Sequence, residues 1–280
     1  MSVKAPQTYQ YVLYEKREHT AIVTINRPEV LNALHYPANE EMFDLWTDIM
    51  DDPEVWTVIL TGSGDRAFCA GADIKYSTTL TTRPESGARE ASDSRIQFAG
   101  FVHRQITRPI IAAVNGYCLG GGLETAMACD IVIASETARF GTPEIKNTGG
   151  YPSSGGVHRL PRHVPRKIAV QMLLTGDHIT AEEALRYGLV NKVVPPEQVM
   201  PEALALADRI NERPPVAVRV IKELVDRSLD LPLEYPVDTR LRAWDLDDPV
   251  GGKIRASEDW QSREGPRAFV EKRKPVWKGR

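Results

Sequence analysis

The spacing of hydrophobic positions changes several times along the first half of the chain. Segments 11–15 and 21–26 alternate apolar and polar residues, which predicts a β-hairpin that turns through 17–19. Apolar residues at positions 42, 45, 46, 49 and 50 share one helical face, so a helix is expected over 39–50. Continuous apolar runs are typical of buried strands, and they occur at 57–60, 110–114 and 131–134.

The segments between and after these elements carry weaker signals. The polar segment 77–90 predicts a mobile loop, and a helical pattern resumes over 94–105. Thr180–Glu183 has the sequence of a capping box and predicts a short helix that ends at Gly188. A last strand is expected over 189–194.

From residue 201 onward the pattern is helical only. Helices are predicted at about 201–212, 215–229 and 234–246, with a terminal helix from Asp259. Their apolar faces need a surface to pack against, either the core of the same chain or a neighbouring subunit. We therefore divide the chain into a core over 1–200 and a helical region over 201–280.

Candidate chemistry is concentrated between residues 110 and 144. Gly120–Gly122 lie between a predicted strand and a short helix, where a ligand can approach backbone N–H groups that have no intrahelical partner. Glu124 lies in the first turn of that helix, and Glu144 follows the next predicted strand. This combination suits a reaction that forms an enolate or another oxyanion while protons move. The alternative, glycines that only permit packing and glutamates paired with arginines such as Arg139, stays open.

A second glycine-containing segment precedes this stretch. Gly62–Ala67 matches the G-x-G-x-x-G/A fingerprint of dinucleotide sites, but no helical pattern begins inside it. We therefore interpret it as a turn between strands. Gly71–Asp73 also follows a buried strand and offers a second backbone donor of the kind that an oxyanion hole requires.

Composition and charge narrow the class of protein. The 280 residues are 42% hydrophobic and 26% charged, which is ordinary for a globular protein of one domain or one domain with an appendage. A net charge of −3 and an isoelectric point near 6.1 do not favour a nucleic-acid or membrane-surface partner. No apolar run approaches the roughly 20 residues that cross a bilayer, and the first residues lack a signal or transit pattern. A cytoplasmic protein is expected.

Nucleophile and metal chemistry receive little support. The three cysteines, Cys69, Cys118 and Cys129, lie in apolar runs without metal-ligand spacing, so we expect them to be reduced and buried and expect no metal site. Serines at 153 and 154 precede two histidines, but no G-x-S-x-G elbow supports a serine hydrolase.

Six segments resemble, in the same order, those of the enoyl-CoA hydratase/isomerase (crotonase) superfamily. They are 26–33, 67–75, 109–130, 140–144, 155–160 and 268–273. The resemblance covers nearly all of the chain. It implies an α/β fold in which a spiral of ββα units precedes a helical C-terminal trimerisation region. It also implies a homotrimer or a dimer of trimers.

The resemblance implies site residues position by position. The two oxyanion N–H groups fall on Ala72 and Gly121, and the two hydratase carboxylates fall on Glu124 and Glu144. The residues that cradle coenzyme A fall on Val30, Leu31, Ala33, Ala70, Asp73, Ile74 and Lys75, while Phe269 and Lys272 would reach the coenzyme A of a neighbouring subunit. Coenzyme A enters as part of the thioester substrate, and no permanently bound cofactor is implied.

The presence of both glutamates favours water addition within the superfamily. Isomerases generally keep only the later carboxylate, and thioester hydrolases usually replace one or both. The resemblance therefore implies an enoyl-CoA hydratase, or a dehydratase that runs the reaction in reverse. A double-bond isomerase, a CoA-thioester hydrolase and a non-catalytic CoA-binding subunit stay open as alternatives.

Several positions depart from the hydratase pattern. Glu29 stands where hydratases often carry lysine, and Ser153 stands where a glycine usually follows the proline. The inserted Gly149–Tyr151 segment is expected to alter the wall beside Glu144. The tail over 257–280 is similar to that of the carnitinyl-CoA dehydratase branch. Acyl length, stereochemistry and the direction of the reaction stay open.

Overall fold

The computed structural model describes residues 9–80, 95–229 and 252–280. In chain order, its strands are β1 (Val12–Arg17), β2 (Thr20–Ile25), β3 (Thr57–Gly62), β4 (Ala67–Cys69), β5 (Ile110–Val114), β6 (Tyr117–Leu119), β7 (Ile131–Ser135), β8 (Arg139–Gly141), β9 (Ile179–Thr180) and β10 (Lys192–Val194). The helices are α1 (Tyr36–Asp51), α2 (Ile74–Leu80), α3 (Gly121–Ala128), α4 (Glu144–Asn147), α5 (Gly156–His163), α6 (Arg166–Thr175), α7 (Ala181–Tyr187), α8 (Val199–Asn211), α9 (Pro215–Ser228), α10 (Gly252–Ala256), α11 (Glu258–Gln261) and α12 (Glu264–Val270). The mixed α/β class is confirmed.

A six-stranded sheet forms the centre of the molecule. Its order is β1-β2-β3-β5-β7-β10, with an antiparallel β1–β2 hairpin and parallel pairing elsewhere. The apolar runs of the central strands are buried on both faces, as parallel strands require. Ile59 and Ile111 face α8, whereas Leu60 and Ala112 face the larger core that includes α1 and α3.

A smaller sheet positions the glycine-rich segments. Its order is β4-β6-β8-β9, and β4, β6 and β8 run parallel to one another. Each of these three strands follows a central strand after a short turn, so the chain repeats a strand–strand unit three times. Since parallel strands end at the same edge of a sheet, the loops after β4, β6 and β8 lie side by side. Those loops carry Ala72, Gly121 and Glu144.

Most of the predicted elements are confirmed, including the hairpin, the buried strands and the capping box of Thr180 with Glu183. The helix expected over 94–105 is wrong, because only a 3₁₀ turn forms at Phe98–Gly100. Ala99 and Gly100 both have positive φ there, which a continuing helix does not allow. A Cβ on Gly100 would lie 2.4 Å from the backbone nitrogen of Phe43, so α1 presses on this turn.

Most of the predicted mobile loop over 77–90, and all of the predicted helix over 234–246, lie outside the described residues. In the described part of the predicted loop, positions 77–80 belong to α2 and are helical. The three cysteines are confirmed as buried and free, and burial raises the pKa of the Cys69 thiol to about 12.

Helix α8, the first of the helices in the C-terminal part of the chain, packs against the central sheet. Val199, Ala203 and Ala207 of α8 pack on Ile59 and Ile111. The helices α8 and α9 confirm the pattern predicted over 201–229. Whether 1–200 and 201–280 are separate regions stays a prediction. Across the described ranges, no helix combines the length and apolarity that a membrane crossing needs.

Candidate active site

A cavity of about 210 Å³ opens where the loops after β4, β6 and β8 meet. Six of the site residues that the family resemblance implied line it: Ala70, Ala72, Ile74, Gly121, Glu124 and Glu144. These residues come from three separate parts of the chain, and the parallel pairing of the small sheet brings them together.

Two backbone amides of this cavity are free to bind a ligand. Ala72 pairs with Leu34 in an isolated parallel bridge whose hydrogen bonds use the Gly71 carbonyl and the Asp73 amide. The N–H of Ala72 therefore points away from that bridge. The N–H of Gly121 lies in the first turn of α3, where it has no intrahelical partner. Neither amide donates a hydrogen bond within the described ranges.

The two amides lie on loops that touch each other. Gly71 has a φ of +98°, and a Cβ built on it would lie 3.2 Å from the Gly121 nitrogen and 3.0 Å from the Leu119 carbonyl oxygen. The glycine is thus required both for its backbone conformation and for the close approach. Phe98 forms the adjoining wall, since its ring packs directly on the α-carbon of Gly121.

Glu124 is almost completely buried at the start of α3. One carboxylate oxygen accepts a hydrogen bond of 2.7 Å from the Gly156 amide at the start of α5. Burial raises the pKa of the Glu124 carboxyl to about 7, helped by the negative charge of Glu144 and opposed by the Gly156 and Ser154 amides and by Arg159. A carboxyl with this pKa can take up and release a proton near neutral pH.

Glu144 begins α4 on the other side of the glycine loop. Its carboxylate lies against Gly120, where a Cβ would be 2.8 Å from Oε1. Its Oε2 atom is buried and accepts no hydrogen bond from the described residues. Burial raises the pKa of the Glu144 carboxyl as well. Burial thus stabilises the neutral form of this carboxyl relative to its ionised form, which is the direction that a proton donor needs.

The segment 28–34 lies along the loop after β4. The Ala70 amide donates to the Leu31 carbonyl over 3.0 Å, and the Leu34 amide donates to Gly71 over 2.8 Å. Val30 and Leu31 are partly buried, and Ala33 is buried. Three of the residues expected to cradle coenzyme A thus border the segment that carries the Ala72 amide.

The remaining residues expected to contact coenzyme A occupy different settings. Asp73 is buried and ion-paired with Arg27 at 3.0 Å, and it also accepts a hydrogen bond from the Tyr76 amide. Lys75 is exposed at the start of α2. Phe269, 85% exposed, and the exposed Lys272 lie at the end of α12 and do not line the cavity.

Sequence reasoning missed several parts of this site. Phe98 lies on the cavity wall, but its segment was predicted to be an ordinary helix. The bond from the Gly156 amide to Glu124 joins residues 32 positions apart and leaves no local pattern. Tyr151, by contrast, was anticipated: it is 66% exposed and lines the cavity, in the wall that the insertion at 149–151 was expected to alter.

Comparison with known proteins connects this geometry to a family. The family model described as enoyl-CoA hydratase/isomerase matches residues 15–280. The chain belongs to the enoyl-CoA hydratase/isomerase family. The resemblance inferred from the six sequence segments is thereby confirmed.

Individual members of the family extend over the same length as this chain. It is 41% identical to crotonyl-CoA hydratase of Syntrophomonas wolfei over 95% of this chain and 97% of that protein. It is 39% identical to carnitinyl-CoA dehydratase of Proteus mirabilis over 92% and 94%. The crystal structure of enoyl-CoA hydratase from Bacillus anthracis superposes with a TM-score of 0.84 at 33% identity, over 97% of this chain and 100% of that one.

Proposed function

We propose that the protein is an enoyl-CoA hydratase, a lyase that adds water across the 2,3 double bond of an enoyl-CoA thioester or removes it in reverse. The observation that carries this proposal is the shared cavity, in which two unpartnered backbone amides lie beside the buried Glu124 and the half-buried Glu144. The similarity to hydratases and dehydratases over nearly the whole chain supports the same chemistry.

The amides of Ala72 and Gly121 would hold the thioester oxygen. As water attacks C3, electrons move through the double bond onto that oxygen and form an enolate. Two preorganised donors would stabilise this charge, and each would contribute roughly 3 kcal/mol to lowering the barrier. The contact between the two loops that carry these donors supports a single oxygen accepting from both.

The two glutamates would move the protons. Ionised Glu124 takes a proton from the attacking water, and its oxygen bonded to Gly156 stays fixed while the reaction proceeds. Protonated Glu144 then gives its proton to C2 as the enolate collapses to the thioester. One proton is taken up and one is released, so the net charge of the protein is unchanged, and proton exchange between the carboxyls or with solvent restores the starting state. Dehydration follows the same steps backwards.

Coenzyme A would bind along the segments 30–33 and 70–75. Ala70 and Ile74 line the cavity, and we expect Val30, Leu31, Ala33 and Lys75 to extend the binding surface from it. Asp73 would act through its ion pair with Arg27, which holds these two segments together. Phe269 and Lys272 would contribute to the site of a neighbouring subunit in a trimer or a dimer of trimers.

The test is hydration of crotonyl-CoA by Glu124→Gln and Glu144→Gln variants. We expect each to lose about 10³-fold in kcat while it still binds the product thioester, because each variant lacks one proton-transfer group. Glu136→Gln is the matched control, since Glu136 is exposed and outside the cavity. Unchanged turnover in both site variants would refute the proposal. Assays with 3-enoyl-CoA and for free thiol identify an isomerase or a thioester hydrolase.

A further inference from the structure

The guanidinium of Arg159 joins two segments behind the active-site cavity. Arg159 lies on α5, and its Nη1 donates to the Ser154 carbonyl over 3.2 Å. Its Nη2 donates to the carbonyl of Val102, which follows the turn that carries Phe98. The side chain is half-buried, and within the described ranges no carboxylate lies at ion-pairing distance from it. Its positive charge is therefore not neutralised by direct contact.

The loop that Arg159 holds is the loop that contacts Glu124. Its last residue before α5, Gly155, has a φ of +105°, and a Cβ there would lie 2.3 Å from Nη1 of Arg159. The next residue, Gly156, donates its amide to Glu124. The guanidinium thus lies against the backbone that presents this hydrogen bond, at a position whose positive φ favours glycine.

The charge of Arg159 also acts on its surroundings. Burial lowers the pKa of Arg159, and Glu124 opposes that effect, so the two charges attract each other. The pKa values of His103 and His163 are lowered chiefly by loss of solvent and then by the Arg159 charge. Glu144 acts on Glu124 in the opposite sense to Arg159.

We propose that Arg159 is a positioning residue for Glu124: it fastens the loop over 154–156 so that the Gly156 amide stays on the Glu124 carboxylate, and it places a positive charge behind that carboxylate. This inference rests on the proposed function of Glu124 as the base. Arg159 does not line the cavity and would not touch substrate.

The first test compares Arg159→Met and Arg159→Lys in steady-state hydration across pH. We expect Arg159→Met to lower kcat about 10- to 100-fold, since small displacements of a catalytic group are costly, with KM within about twofold. The acid limb of its kcat/KM profile should shift upward by about one pH unit, because Glu124 loses a favourable charge and a fixed donor. Arg159→Lys keeps the charge and should recover at least half of that shift.

The second test measures the titration of the Glu124 carboxyl directly and does not depend on catalytic turnover. Glu124 is followed by ¹³C NMR in protein labelled at glutamate Cδ, with the resonance assigned from its absence in Glu124→Gln. We expect its titration midpoint to rise in Arg159→Met and to stay unchanged in Arg166→Met, which removes an exposed arginine at the start of α6.

The outcomes separate this inference from the proposed function. An equal Glu124 midpoint in the wild type and in folded Arg159→Met would overturn the positioning role, and so would a loss of kcat without any shift of the acid limb. A wild-type protein that hydrates no enoyl-CoA would instead refute the proposed function, while the NMR titration would still decide whether Arg159 controls Glu124.

Discussion

Gly71 is a residue at which the two donor loops touch. Its positive φ excludes most side chains, and the space beside it is already taken by Leu119 and Gly121. Gly149 also has a positive φ, but a Cβ there would meet no atom within 4 Å. Alanine at Gly149 therefore tests only the cost of the backbone conformation, whereas alanine at Gly71 also tests the cost of pushing the donor loops apart.

We predict that Gly71→Ala lowers kcat by at least 10²-fold, because a Cβ would displace the Gly121 amide from the Ala72 amide. Gly149→Ala should leave the Ala72 and Gly121 amides in place and lower stability by about 1 kcal/mol through φ strain alone. Steady-state hydration and thermal unfolding of both variants check this. Equal losses of kcat in the two variants would contradict the proposed contact.

Glu124 also links the chemistry of the site to the stability of the fold. The pKa of its carboxyl is about 7 in the folded chain against an ordinary value of 4.5. Between these values the folded chain binds more protons than the unfolded chain, so the free energy of unfolding falls as pH rises from about 4.5 to about 7. Above about pH 7, the ionisation of Glu124 lowers the free energy of unfolding no further.

We predict that Glu124→Gln raises the free energy of unfolding by about 2 kcal/mol at pH 8 and changes it little at pH 4.5. The gain arises because glutamine has no charge to bury. Denaturant unfolding at the two pH values measures it. A gain that is the same at both values would mean that packing, and not ionisation, is responsible.

At the scale of elements, the ion pair between Arg27 and Asp73 connects the segment before α1 to the start of α2. Both side chains are about 10% exposed, and Asp73 also accepts from the Tyr76 amide in the first turn of α2. The pair therefore holds the Ala72 amide between two fixed elements. The pair of Lys146 and Asp177 offers a contrast, since its side chains are 49% and 62% exposed.

We predict that Arg27→Met lowers the free energy of unfolding by about 3 kcal/mol, because it leaves the buried Asp73 carboxylate without its partner. Lys146→Met should cost less than about 1 kcal/mol, since an exposed pair is screened by water. Urea unfolding of the two variants makes the comparison. Similar losses in both would show that Asp73 finds another partner or is wetter than its burial indicates.

The elements also show what the sequence could and could not predict. Strands with unbroken apolar runs, such as β3 and β5, were predicted correctly because burial on both faces leaves a strong local pattern. The turn at Phe98–Gly100 was not, because its backbone is set by contact with α1, far away in the chain. The glutamates were found from their glycine and family context, whereas the bond from Gly156 to Glu124 depends on packing between α3 and α5.

At the scale of the whole molecule, apolar side chains remain exposed on one side of α9. Ile221, Val225 and the following Leu229 repeat at helical spacing and are 60%, 51% and 71% exposed. Exposed apolar residues that form a stripe at helical spacing are typical of a helix that packs against a partner. This observation supports the proposed association through the helical C-terminal region.

We predict that the wild-type protein sediments as a trimer or hexamer and that Ile221→Glu/Val225→Glu shifts it toward monomer, because two buried charges oppose association. Leu13→Glu, at a 50% exposed position on the edge strand β1, is the control and should leave the mass unchanged. Analytical ultracentrifugation measures all three. A monomeric wild type would contradict the assembly and the role proposed for Phe269 and Lys272.

The side-by-side ends of β4, β6 and β8 have a consequence for how such a protein can diversify. The end of each strand carries a different part of the cavity, so the residues at one end can be substituted while the other two ends stay unchanged. The segment 145–153 follows the end of β8 alone, so substitutions there can change acyl selectivity without altering the Ala72 and Gly121 amides that we propose hold the thioester oxygen.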